Sequence, residues 1–142
     1  MSTGPIVMMY RRAFEAVNAQ DLDATVSAAA PDIHYQETTL GWDLHSKDEL
    51  RAAYAAWVDC ARTHVDCLDS FEAGQRAALH WRYTGLITAA MPGVWPDSAV
   101  GRRFSFVGTS LVRVNDQGLV AHVTETWNLA ALLHQLGGQL PS

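Results

Sequence analysis

The sequence predicts an α+β fold, a curved antiparallel sheet with N-terminal helices enclosing an apolar pocket. Three observations predict it. Helical spacing of apolar residues is concentrated ahead of Arg62, whereas alternating runs dominate from His64 to Asn128. Tight turns join those runs, so consecutive strands pair back on one another. Helices and strands are thus segregated along the chain, which is the α+β arrangement. Three short helices cannot fill the hollow of such a sheet, so a deep apolar pocket is expected in its concavity.

The elements follow in order. Met1 to Gly4 reads as a frayed end and Pro5 suits the first turn of a helix. Ile6, Met9, Tyr10, Ala13 and Val17 then recur at helical spacing. Asn18-Ala19-Gln20 interrupts, Asp21 caps a short second helix bearing Leu22 and Val26, and Pro31 stops it. Ile33 to Thr38 reads as a strand with Ile33 and Tyr35 on one face, and Thr39 to His45 as a loop. Ser46-Lys47-Asp48-Glu49 matches a capping box, and the helix behind it sets Leu50, Tyr54, Trp57, Val58 and Ala61 on one stripe.

His64 to Phe71 is a strand, Ala73-Gly74-Gln75 a turn, and Arg76 to Ile87 a longer strand with Leu79, Trp81 and Tyr83 on one face. Thr88 to Gly101 is an unusually apolar loop, placed to line a pocket or meet a second subunit. In Arg102 to Val114, Phe104, Phe106 and Ser110 alternate with Ser105, Val107 and Leu111. Apolar residues on both faces imply a sheet covered by helices on one side and a second subunit on the other. Asn115 to Gly118 is a hairpin turn. Val120 to Asn128 is the last strand, and Leu129 to Leu136 a short helix ended by Gly137-Gly138.

Composition limits the function. The chain has 142 residues, enough for one domain with a real core spanning 1–142. A net charge of −5 without any Lys/Arg cluster argues against nucleic acid. Cys60 and Cys67 are too few for a disulfide scaffold or a zinc site, which favours a cytoplasmic setting. No stretch approaches a membrane span and no signal peptide is visible. No histidine pair shows H-x-H or H-E-x-x-H spacing, so no metal is expected.

One residue resists a packing explanation. In V-A-H-V-T-E-T-W, Val123, Glu125 and Trp127 share a face that should be buried. An enclosed carboxylate must find partners or take up a proton, and either outcome equips it for acid/base work. The alternative is a twisted or bulged strand that turns Glu125 toward solvent or an Arg. Tyr35 and Tyr83 follow the same inward alternation and could polarise or protonate a substrate oxygen, or be core aromatics bonded to backbone. Trp42, Trp81, Trp95, Phe106 and Trp127 would wall a cavity or fill the core. Asn128 could hold a carbonyl oxygen or simply end the strand. His34, His80 and His122 fall on the opposite, outer face, while His45 and His64 sit at element ends. Ser105 and Ser110 show no nucleophilic-triad logic.

The opening A-F-E-A-V-N-A-Q-D-L-D-A-T (Ala13 to Thr25) and A-P-D-I-H-Y (Ala30 to Tyr35) resemble the start of NTF2-like domains. The closing T-W-N-L-A-A-L-L-H-Q-L-G (Thr126 to Gly137) resembles the terminal signature of SnoaL-like polyketide cyclases in that superfamily. W-x-x-T-G (Trp81 to Gly85) and G-x-x-F (Gly101 to Phe104) extend the likeness over nearly the whole chain. The resemblance implies a cone-shaped, usually homodimeric α+β barrel. It also implies ring closure or isomerisation of an apolar polyketide-type substrate without metal or organic cofactor. Glu125 then falls where epoxide-opening relatives carry a base. Two departures stand out. Gly85 is followed by Leu86 and Ile87 where the family often has Thr-His, and Asn128 replaces a common Asp and cannot exchange a proton near neutral pH. The remaining possibilities are an epoxide hydrolase of the limonene-epoxide-hydrolase type and a non-catalytic ligand-binding or dimerisation domain.

Overall fold

The computed structural model describes residues 4–137, so Met1 to Thr3 and the predicted stop at Gly138 lie outside the described part. Helix α1 (Pro5–Asn18) starts with Pro in its first turn. Its free N-terminal amides at Ile6 and Val7 donate to the Glu72 carboxylate. At its other end the Asn18 side chain bonds both the amide and the carbonyl of Val65. Side chains at both ends therefore moor α1 to the sheet. A single turn, α2 (Leu22–Thr25), is capped by Asp21. Helix α3 (Lys47–Cys60) is capped by Ser46 accepting from Glu49 N. The Glu49 carboxylate reaches back to the amide of His45, one residue beyond the expected reciprocal partner.

Six strands form one sheet in the order β2-β1-β6-β5-β4-β3. They are β1 (Ala29–Glu37), β2 (Trp42–Leu44), β3 (Ala61–Ala73), β4 (Arg76–Ile87), β5 (Arg103–Val114) and β6 (Val120–Trp127). The expected α+β class holds, with two corrections to the sheet. It is not wholly antiparallel, because β1 runs parallel to β6. The chain reaches that position only after passing through α3 and four other strands, as a parallel neighbour requires. The segment expected to be a loop, Thr39 to His45, contains β2, which pairs Glu37 with Trp42 and Tyr35 with Leu44.

Pro31 lies inside β1 rather than marking a stop before it. The β1–β6 ladder breaks register between Ala29 and His34, and β2 begins pairing only at Tyr35. Proline has no amide to offer, and the break spares it that demand. Strand β3 is longer than its apolar pattern, since hairpin pairing with β4 carries it to Ala73 beside the turn at Gly74, where φ is +60°. The Thr88 to Gly101 loop holds a Met91–Trp95 bridge and a 3-10 turn (Asp97–Ala99). The short closing helix α4 (Leu129–Gln135) buries Leu132.

The core lies between the inner sheet face and the helices, built from Ile6, Val7, Phe14, Ile33, Leu79, Trp81, Val112 and Val123 among others. The outer face is different: Phe71 is 69% and Leu111 55% exposed. Among the described residues no helix is long and apolar enough to cross a membrane.

Candidate active site

The site grows from one rung of the sheet. Successive cross-strand partners are Ser70, Leu79, Ser110, Glu125, Glu37 and Trp42, running from β3 to β2. Residues paired this way share a face. The rung therefore puts two carboxylates side by side on the concave face, with a serine next to one and an indole next to the other. Glu125 points inward as its alternation demands, not toward solvent or an arginine.

Its partners fix the carboxylate. Ser110, fully enclosed at 0% exposure, donates to Oε2 at 2.5 Å and accepts from the Trp81 indole N–H at 2.9 Å. Tyr35 donates to Oε1, and Tyr10, reaching down from α1, donates to Oε2 at 3.4 Å. Tyr54 of α3 lies 3.5 Å from the Tyr35 hydroxyl. Glu37 is 3% exposed and spends its oxygens on the amides of Thr39 and Leu40, at 2.8 and 2.6 Å. That local cap shapes the turn leading into β2.

Glu125 keeps a little accessible surface, but that surface faces a cavity rather than bulk water. Burial consequently pushes its carboxyl above the usual range; the nearby Glu37 charge adds to this, while hydrogen bonds from Ser110, Tyr35 and Tyr10 pull the other way. Burial first, and then the Glu125 charge, raise the phenols of Tyr10, Tyr35 and Tyr54. Tyr83 is raised by burial, then by Tyr54 and Glu125. The phenols therefore stay protonated and serve as donors, while the Glu125 carboxyl holds its proton more tightly than a free one.

The cavity has a volume of about 40 Å³ and is open on one side. Its polar lining is Tyr35, Glu37, Tyr54, Tyr83 and Glu125, and its walls include Trp42, Trp57, Trp81, Phe106 and Trp127. Aromatic stacking holds those walls: Phe106 lies on Trp127 at 4.3 Å and on Tyr83 at 5.7 Å. A second hollow of about 40 Å³ beneath α1 and α2 shares Tyr35 and Tyr54 with the first, so these phenols form the partition between them.

The predicted site residues sort clearly by position. Glu125, Tyr35, Tyr83, Trp42, Trp81, Phe106 and Trp127 all line one cavity. Tyr83 does so without touching Glu125, and its hydroxyl has no hydrogen-bond partner among the described residues. Two expectations are corrected. Trp95 is buried behind the wall, edge-on to Trp57 at 5.5 Å, with its indole N–H given to the Ala89 carbonyl at 2.8 Å. Asn128 is exposed and caps α4 through Ala131 N at 3.0 Å. Its side chain serves the helix it begins, which is what Asn at such a boundary commonly does.

Four residues were missed. Glu37 continues the Ile33-Tyr35 alternation by one more step, a signal present in the sequence. Ser110 was on the inward face but dismissed for lack of a triad. Tyr10 and Tyr54 sit in apolar helical stripes, where nothing local marks a phenol as functional.

Comparison with known proteins agrees with this architecture. The family model of the SnoaL-like domain matches residues 10–123. No curated protein matches the chain. Among solved structures, AclR from Streptomyces galilaeus, described as a candidate hydroxylase, is 21% identical with a TM-score of 0.80, covering 99% of this chain and 100% of its own. A candidate polyketide cyclase from Xanthomonas campestris pv. campestris is 21% identical with a TM-score of 0.83, covering 92% and 96%. Another from Pseudomonas putida KT2440 is 22% identical with a TM-score of 0.82, covering 95% and 98%. A neighbour with a ketosteroid isomerase-like fold from Catenulispora acidiphila is 18% identical with a TM-score of 0.77, covering 97% and 96%. The chain belongs to the SnoaL-like domain family and has its NTF2-like fold.

Proposed function

We propose that this protein is a cofactor-independent acid/base enzyme that closes or isomerises a ring in a bulky, mainly apolar, polyketide-type intermediate. The observation that carries the proposal is a carboxylate with an elevated pKa at the floor of an aromatic cavity, with an uncommitted phenol in the same cavity. Glu125 is the base. Tyr83 is the acid, because Tyr35 already donates to Glu125. Ser110, Tyr10 and Tyr35 hold the carboxylate, and the aromatic walls fold the substrate into a reactive conformer, where intramolecular closure gains most of its rate.

For an epoxide-bearing substrate the step balances. A substrate hydroxyl oxygen bonds to an epoxide carbon while that carbon's bond to the epoxide oxygen breaks. Glu125 takes the hydroxyl proton and Tyr83 protonates the released alkoxide. Return of the proton from Glu125 to Tyr83 resets the site, and the product is an isomer of the substrate. Similarity to candidate cyclases supports the substrate class through shared fold only.

A second reading has its own observation. Both oxygens of Glu125 already accept hydrogen bonds, as in a carboxylate that serves only to bind or to hold the fold. One experiment separates the readings. Hydroxy-epoxide polyketide fragments are incubated with protein and products are analysed by mass. Cyclisation gives a product of unchanged mass, hydrolysis adds one water, and a binder gives neither. Glu125→Gln should lower turnover by roughly 10²–10⁴-fold while retaining ligand binding. Undiminished turnover in that variant refutes the assignment.

A further inference from the structure

On the outer face of the sheet, away from the cavity, β1 and β2 bring three potential metal ligands together. The antiparallel register pairs Tyr35 with Leu44 and Gln36 with Asp43. Residues alternating with the inward-facing Tyr35 and Leu44 must point outward, which puts His34, Asp43 and His45 on the same side. The contacts agree. His34 Nε2 lies 2.6 Å from one Asp43 oxygen and His45 Nε2 lies 3.1 Å from the other. The two imidazoles stack with centroids 4.6 Å apart and planes 15° from parallel. One donor atom from each of the three side chains falls within 4.8 Å of the other two.

Two nitrogens and one carboxylate oxygen are a common donor set for zinc and its neighbours. Bonds of about 2.0–2.1 Å in a tetrahedron need donor atoms roughly 3.3 Å apart, so small side-chain rotations would seat an ion between the three. Around the cluster, His122 of β6 is the register partner of His34, and its Nε2 lies 3.0 Å from Gln36 Oε1. The His122 ring stands 5.2 Å from that of His34, tilted by 54°. Stacked imidazoles aimed at one exposed carboxylate gain little from hydrogen bonds alone in water, whereas a bound cation would give all three side chains a reason to converge.

The position gives the ion a structural purpose. Strand β2 has only three residues, yet it carries Trp42 into the cavity wall and Leu44 against the core. So short an edge strand is weakly held by its own ladder. We propose that His34, Asp43 and His45 form a divalent transition-metal site, of zinc type, that staples β2 to β1 and thereby fixes Trp42 at the cavity.

Cobalt(II) is the probe, because its visible absorption reports tetrahedral coordination. Metal-free protein titrated with cobalt should develop visible bands that saturate at one ion per chain and vanish when zinc is added. Asp43→Ala and His34→Ala should weaken binding by more than about 100-fold, beyond the loss that follows removal of an outer partner. His64→Ala is the control, since the exposed His64–Asp66 pair at 3.0 Å has no third ligand among the described residues; it should bind like the wild type. Zinc should also slow hydrogen exchange in the 34–45 segment of the wild type and not in Asp43→Ala. Absent bands, bands that survive Asp43→Ala, or a thiolate-to-cobalt band pointing to Cys60 or Cys67 would overturn the site. Unchanged exchange on zinc binding would overturn the staple.

Discussion

Replacing Ser110 by Ala tests whether the Glu125 carboxylate is held by a chain of hydrogen bonds or merely sits near them. The hydroxyl donates to Glu125 and accepts from Trp81, in a place with no access to solvent. Its removal takes a bond from a charged acceptor, about 1.5–3 kcal/mol, and leaves the indole N–H unpaired at a cost of about 1–3 kcal/mol. The two losses share one atom and are not fully additive, so a total near 3 kcal/mol is expected. For a domain of this size that lowers Tm by roughly 6–12 °C. The loss also carries a pH signature. Ser110 is foremost among the groups lowering the Glu125 pKa, so the variant should titrate still higher than the wild type. Denaturation by urea at acid and alkaline pH, together with the infrared carbonyl band of the protonated carboxyl, measures both effects. The destabilisation should grow as Glu125 ionises. Ser105→Ala, on the same strand but facing outward, should change stability by less than about 0.5 kcal/mol. Equal stability of Ser110→Ala and wild type, with an unmoved carbonyl titration, would refute the hydrogen-bonded chain.

Three further outcomes are expected. Gly108→Ala should destabilise by about 1–3 kcal/mol and perturb the near-ultraviolet circular dichroism of Trp81, since a Cβ there would stand 2.4 Å from the Trp81 ring and 2.7 Å from the Thr126 carbonyl. Unchanged spectra would mean that the indole is not wedged over that glycine. Asn128→Ala should lower stability by about 1 kcal/mol through loss of the α4 cap and leave turnover intact; a fall in turnover at unchanged stability would return Asn128 to the substrate site. The raised pKa of Glu125 predicts the sign of a stability profile. An acid that binds its proton more tightly when folded adds stability that is complete below its unfolded pKa, about 4.3, and is lost as pH rises through the folded value. Glu125→Gln should therefore gain on the wild type as pH rises, and parallel urea midpoints across that window would contradict the shift.

What could be read from the sequence was whatever local periodicity encodes. The inward placement of Tyr35, Tyr83 and Glu125 needed only the two-residue repeat of a strand, and the cavity-lining positions of Trp81, Phe106 and Trp127 came with it. What could not be read depended on pairings between distant strands. The parallel neighbour of β1 is more than eighty positions away, as Glu37 and Glu125 show, and nothing in either segment announces the other. Strand β2 escaped for a related reason. Three residues are too few to show alternation, and Trp42-Asp43-Leu44 becomes a strand only because β1 offers an edge.

The same distinction explains why Trp95 and Asn128 were misassigned while Ser110 was overlooked. A tryptophan in an apolar loop and an asparagine at a strand end carry chemistry that suits a pocket, but their side chains were claimed locally, by the Ala89 carbonyl and by a helix N-terminus. Ser110 carries no chemistry that stands out alone. Its importance comes from register, which sets it opposite Glu125 of one neighbouring strand and lets Trp81 reach it from the other, across the gap left by Gly108. The shape of that relay follows from the absence of one side chain. A Cβ at position 108 would push the indole off the serine, and the carboxylate would then lose the alignment of one of its neutral donors.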